Sequence, residues 1–564
     1  MRYFILVLNV KATGFLKSLF DRRTESIVKN LSSALIFGGV AVSVFLLSRG
    51  VTGYLLGREH IGLFLFHRFL SMLLYVFFVT VNLGNVVVCF ATLYRSEEVS
   101  YLMSMPVPHH SIFALRFIDN FFYSSGTMFL LALALLLGYG SYFSVPWYFY
   151  VFTLVGVLLP LMMIAALSAV ILLVFSVRLA NRIGVRSLIG GVGTLYLLAI
   201  YLYFSVTNPA NLVREVMRHY PDVNAYFGYL DPSFIRYLPS HWVADFLYWT
   251  MSGDPTRAGM NLLMLYLTFG SLLIAAALVG DRYYYKSWLI ATDGHALRKE
   301  RDTRFRSSGI LSFGQEGMFP RPVTVLLKRD FWLFFREPGQ WLHLMLMVVL
   351  LGVFLLSLQS LDIRVSDPQL LTGSYLVILL FDGFLIASVA LRFVFPAVSL
   401  EGETYWSVRS APLLTSTLYW QKFSTSLTFV LIFAGILAIG SSPLMLGNRF
   451  LIILSFVLCG LFGLTMTAIN MGAGAYFATY QEKNPIRVAS SQGASLTFLG
   501  GMIYLGSIVL LLVPSLNRYF ELMILRGSSP PQWLLVPMTV ATVLSATIAM
   551  ASTAIGLSKI RRDC

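Results

Sequence analysis

Two stretches of this chain carry the same charged and turn-forming residues. Glu97, Ser104, Pro106, Arg116 and Phe117 return as Glu403, Ser410, Pro412, Lys422 and Phe423, each at an offset of 306 in a chain of 564 residues. In the first copy Glu97 and Glu98 precede Leu102. In the second, Glu401 and Glu403 precede Trp406. Carboxylates at the start of a short helix suit its positive end, and Pro106 and Pro412 stop such a helix. The chemistry on offer is charge pairing and surface docking, not bond making.

One more charged residue stands out. Asp382 lies inside an apolar run, roughly 12 Å deep at about 1.5 Å per helical residue. A carboxylate at that depth costs several kcal/mol unless it is paired, protonated or wet. It is a candidate for a substrate pathway, and equally for a structural partner within the bundle.

Catalytic motifs are missing. Gly-Lys does not occur, so no phosphate-cradling loop with its lysine can be written. His-Glu-x-x-His, Cys-x-x-Cys and Gly-x-Ser-x-Gly are absent too. The three cysteines, Cys89, Cys459 and Cys564, have no metal-site or disulfide-framework spacing.

The elements that position these residues follow from composition. The chain is 57% hydrophobic and 12% charged. No soluble domain of this size hides that much apolar surface. Runs of 18 or more apolar residues must be helices in lipid, where no water satisfies the backbone. The expected fold is an all-α polytopic membrane protein with twelve transmembrane helices. The first six fall near 31–48, 70–94, 121–141, 147–175, 187–206 and 261–280. The second six fall near 341–358, 375–398, 427–446, 450–476, 494–513 and 533–557. Two six-helix repeats, 1–280 and 323–564, flank a basic cytoplasmic linker, 281–322. A second inner loop supports duplication: Asn181, Ile183, Val185 and Ser187 match Asn484, Ile486, Val488 and Ser490.

Net charge is +15. The basic residues mostly flank apolar runs, which points to topology and membrane lipids, not to nucleic acid. Residues 281–340 alone hold eleven Lys and Arg, which places that segment and both termini in the cytoplasm. Each half opens on a basic amphipathic stretch, Phe15–Phe20 and Leu326–Phe331, suited to the membrane surface. Arg68 and His67 open the second span and are expected to snorkel to the interface. Arg116 and Lys422 are expected to anchor span ends against lipid phosphates. Trp242 and Trp249, in a stretch that dips back toward the bilayer, suit the interface. Gly190, Gly191, Gly193, Gly472 and Gly474 mark tight helix contacts.

This layout resembles the ABC-2 type exporter permeases, in particular the subgroup with twelve spans. The resemblance rests on Glu97–Phe117 and Glu403–Phe423 with their Ser-x-Pro turns, on Pro239–Trp242, and on the order of spans. It covers essentially the whole chain, though the second half has a shorter outer loop, 514–532. The resemblance implies a transport subunit in the cell membrane that hydrolyses nothing itself. Two copies of a separate cytoplasmic ABC ATPase would dock on one copy of this chain. They would bring ATP and magnesium, leaving this chain no cofactor. The coupling loops would be Glu97, Glu98, Leu102, Ser104 and Pro106, and Glu401, Glu403, Trp406, Ser410 and Pro412. Leu311–Gln315 is similar to the signature sequence of ABC ATPases, but a linker is too short for that domain, and the likeness reads as coincidence. Two alternatives stay open: an ion-coupled secondary transporter, and a membrane-embedded enzyme or scaffold of lipid or polysaccharide assembly.

Overall fold

Helix follows directly from the composition, and among the described residues every regular element is helical. The computed structural model describes residues 13, 24–58, 62–94, 96–183, 185–207, 212, 216, 227, 231–291, 321–336, 338–359, 368–406, 410–411, 415–441, 448–480, 488–489, 491–526 and 532–562. Phe15–Phe20, Pro412, Leu311–Gln315 and three residues of the second repeated inner loop (Asn484, Ile486 and Ser490) fall outside this set.

Nine helices among the described residues are long and apolar enough to cross a bilayer. A bent pair, His109–Gly126 and Met128–Tyr142, makes a tenth. Gly191–Val206 and Leu344–Leu356 are apolar but shorter. Three of the twelve expected spans therefore appear as a bent pair or a short helix. A bilayer core of about 30 Å needs roughly 20 helical residues.

The chain divides into two compact units: residues 1–305 with 341–353, and residues 306–340 with 354–564. In the first, α1 (Thr24–Gly53) packs on α4 (His109–Tyr142). Helix α2 (Leu63–Tyr94) lies against α4, α5 (Leu159–Ile183) and α7 (Pro239–Met251). The short helix α3 (Glu97–Ser104) leads from α2 into α4, and α6 (Val185–Val206) follows α5. Helix α8 (Pro255–Arg282) closes against α7 and α5. Helical residues continue past α8 to 291, although the sequence places a solvated connector from 281. Tyr284 and Ser287 explain this: they are buried and bond to the Leu93 carbonyl (3.0 Å) and the Tyr94 hydroxyl (2.9 Å) at the end of α2.

In the second unit α9 (Arg321–Arg336) is amphipathic. After α10 (Pro338–Gln359), the bundle is α11 (Pro368–Val389), α12 (Thr415–Ser441), α13 (Arg449–Tyr476), α14 (Gln492–Arg526) and α15 (Gln532–Arg562). Helix α13 touches α11, α12, α14 and α15. Glycine permits the closest approaches. A Cβ on Gly472 would collide with the backbone of Ser552, and one on Gly474 with the backbone of Phe395. Gly193 similarly meets the Met345 side chain, whereas Gly191 has open space around it.

Candidate functional site

The first repeated loop forms the expected short helix. Helix α3 runs from Glu97 to Ser104, and Met105 leaves in an extended conformation before Pro106. Val99 is buried while Ser104 and Pro106 are exposed. Leu102 is half-buried. Arg116, near the start of α4, does not reach for lipid phosphate. It is buried, with Nη2 2.6 Å from Glu98 Oε2 and Nη1 3.6 Å from Asp119 Oδ2. A half-exposed carboxylate on the preceding helix pairs with the guanidinium, whose Nε makes no hydrogen bond among the described residues.

The second loop departs from its counterpart. After α11 the backbone widens into a π turn at Ala390–Val394 and then tightens through 3-10 turns at Phe395–Ala397 and Ser399–Thr404. Gly402 sits at φ 62°, a conformation that costs other residues energy, and this kink interrupts the turn. These turns lead into Tyr405 and Trp406, which are helical, and the Ser410 amide donates to the Trp406 carbonyl at 2.9 Å; residues 407–409 lie outside the described set. Trp406 is 70% exposed and Ser410 is exposed, while the adjacent Tyr405 stacks on Tyr480 with centroids 4.8 Å apart.

The turn carries Glu401 into a buried charge network. Glu401 Oε1 lies 2.6 Å from Lys422 Nζ on α12 and 2.6 Å from Arg329 Nη2 on α9. Arg329 also pairs with Asp330 at 2.9 Å. Lys422 approaches Asp330 at 3.6 Å, and Gln421 donates to Asp330 Oδ2 at 3.2 Å. Two cations face two carboxylates, Glu401 and Lys422 buried and Arg329 and Asp330 half-buried, so each charge has an opposite. Burial tends to raise the Asp330 carboxyl, but Lys422 and Arg329 outweigh it and hold the group below its ordinary 3.8. Burial likewise tends to lower Arg329, and Glu401 and Asp330 more than offset it. Lys422, like Arg116, is therefore an internal ion-pair partner and not a headgroup anchor.

Asp382 is fully buried in α11. The Ser441 hydroxyl faces it, but that hydrogen goes to the Leu437 carbonyl at 2.9 Å. No hydrogen-bond donor among the described residues satisfies either Asp382 oxygen.

The largest correction to the sequence reading is at Arg68 and His67. Both are buried, not snorkelling. Arg68 pairs with Asp231 at 2.6 Å and Asp245 at 2.7 Å, beside His241. His67 bonds to the Tyr139 hydroxyl at 2.8 Å. Trp249 is also buried, beneath the Arg257 guanidinium at 4.4 Å. Asp245 on α7, four residues after His241, was the available signal, because that spacing puts both on one helix face.

A family model described as “Putative ATP-binding cassette” matches residues 25–562. No curated protein and no solved structure matched the chain. The family match overturns three expectations. The chain is not assigned to the ABC-2 type permeases, because the cassette description falls on this chain over nearly its whole length. For the same reason it is no longer read as a transport subunit that leaves ATP hydrolysis to another protein, and the pair of separate ATPase subunits loses its basis. The match comes without a phosphate loop. Gly-Lys is absent, so any nucleotide contact in this chain must come from other residues.

Proposed function

The chain belongs to the family described as “Putative ATP-binding cassette”, and we propose that it works in ATP-binding cassette transport as a multi-pass protein of the cell membrane. Both termini are cytoplasmic in this reading, and the chain crosses twelve times as two six-helix repeats, 1–280 and 323–564, joined by 281–322. ATP with magnesium supplies the energy. The loops around Glu98 and Glu401 pass that movement into the spans through Arg116 and Lys422, and Asp382 lies on the substrate pathway.

The observation that carries this reading is the family match across a chain rich in helices long enough to cross a bilayer. The charged joints support it further, since each ion pair ties a loop to a helix, the one at Glu401 being buried.

The test uses the full chain purified alone in lipid nanodiscs. Photoaffinity labelling with azido-ATP, competed by ATP and magnesium, is measured beside phosphate release. The reading expects competed labelling of this chain, and the labelled peptides locate the contacts. A purified chain that neither labels nor releases phosphate overturns the assignment of nucleotide to it. ATP-independent transport that follows an ion gradient overturns the transport class.

A further inference from the structure

Helix α11 buries a carboxyl group that no cation answers. Tyr375, Leu379, Asp382 and Ile386 follow one another at steps of three and four, so they share one helix face. All four are buried, Leu379, Asp382 and Ile386 completely. Phe381 and Phe384 are exposed, and Gly383 faces the Leu505 side chain of α14. Two other helices approach Asp382. Ser441 on α12 faces it, and Cys459 on α13 lies within its electrostatic reach.

The hydrogens around Asp382 are already committed. The Ser441 hydroxyl donates to the Leu437 carbonyl at 2.9 Å, so its oxygen offers Asp382 only lone pairs. The Tyr375 and Ser455 hydroxyls bond to each other at 2.9 Å. No donor among the described residues reaches either Asp382 oxygen, and no charged side chain among them acts on it. Arg392, the nearest cation along the chain, is roughly 15 Å further on at about 1.5 Å per helical residue.

An ionised carboxylate in that setting loses its water and gains neither a donor nor a counter-ion. Such a group neutralises instead. The acid form removes the charge and supplies the hydrogen that the Ser441 lone pair lacks.

We infer that Asp382 is a proton-binding site: in the packed bundle it stands as the neutral carboxylic acid, with its O–H directed to the Ser441 hydroxyl oxygen. One proton joins a carboxylate oxygen, and no other bond changes. Packing of the second unit around α11 takes this proton from water, and water entering the site takes it back. The packed site presents no fixed negative charge. The proton is held whether or not a substrate path runs past it.

The neighbouring titratable groups leave this balance alone. They are Tyr375 on α11, Tyr519 on α14 near Tyr375, and Cys459 on α13. Tyrosine ordinarily titrates near pH 10 and cysteine near 8.5, so all three are neutral at about pH 7. From α12, Ser441 is the group that faces Asp382.

The test is isotope-edited infrared spectroscopy of the full chain in nanodiscs at about pH 7, with aspartate carboxyls labelled with carbon-13. Wild type should show the carbonyl band of a protonated carboxylic acid, moved by the label, and Asp382→Asn should lose it. Ser441→Ala should keep the band and shift it to higher frequency, because the acid O–H loses its acceptor. Absence of an aspartate acid band from wild type overturns the inference, and so does a band that survives Asp382→Asn. An unshifted band in Ser441→Ala overturns the hydrogen bond to Ser441. Amide exchange at 449–476, in α13, reports whether each variant is folded. Should Asp382→Asn fail there, Asp382→Glu takes its place. The band should then leave the aspartate label and appear under a glutamate label, and a band that stays with aspartate overturns the inference.

Discussion

Lys422 Nζ lies 2.6 Å from Glu401 Oε1, and both side chains are buried, at 10% and 5% exposure. The pair spans the end of α11's turn and the beginning of α12, and Arg329 on α9 shares the same oxygen at 2.6 Å. Three chain segments meet at one carboxylate. Arg116 and Glu98 make the corresponding joint in the first unit, also at 2.6 Å.

Glu401→Gln leaves Lys422 and Arg329 short of one negative charge. Removing one partner of a buried pair costs about 3–5 kcal/mol, and Asp330, near both cations, brings this to about 2–3 kcal/mol. Thermal unfolding in nanodiscs measures it. Adding Lys422→Met should recover part of the loss, and the double-mutant cycle gives the coupling.

Glu98→Gln should behave differently. Glu98 is 46% exposed, so water and salt screen its pair with Arg116. The expected loss is about 0–1 kcal/mol. Raising salt should shrink the wild-type advantage at Glu98 and leave that at Glu401 nearly unchanged.

Acid should weaken the second unit through Asp330. Its carboxyl is held below 3.8 because Lys422 and Arg329 outweigh the effect of burial. A depressed carboxyl stabilises the fold above its unfolded value, and that contribution is lost as pH falls through the folded value. Asp330→Asn should lower stability at pH 7 and flatten its fall below about pH 4. Unfolding midpoints taken across that range decide it.

Gly472→Ala should be poorly tolerated, because its Cβ would meet the Ser552 backbone rather than a movable side chain. A cost of about 1–3 kcal/mol follows from overpacking. Gly191→Ala, with open space around it, should be close to neutral in the same unfolding assay.

The sequence by itself determined the helical class, the apolar segments and the position of the first loop helix. Those properties are local: apolar run length, an acidic start, and a proline two residues past the end. At the second loop the same logic did not foresee the π and 3-10 turns that precede it, or the kink at Gly402. Only the tertiary structure decided which charges meet. Alignment pairs Glu97 with Glu403, whose side chains lie outside the described set; among the described side chains Glu98 and Glu401 come within 2.6 Å of the two repeated cations. Arg68 looked like a cation at a span end until Asp231 and Asp245, more than 160 residues away, enclosed it. Apolar periodicity is written along the chain. Ion pairing depends on distances of a few ångströms between segments that the sequence keeps far apart.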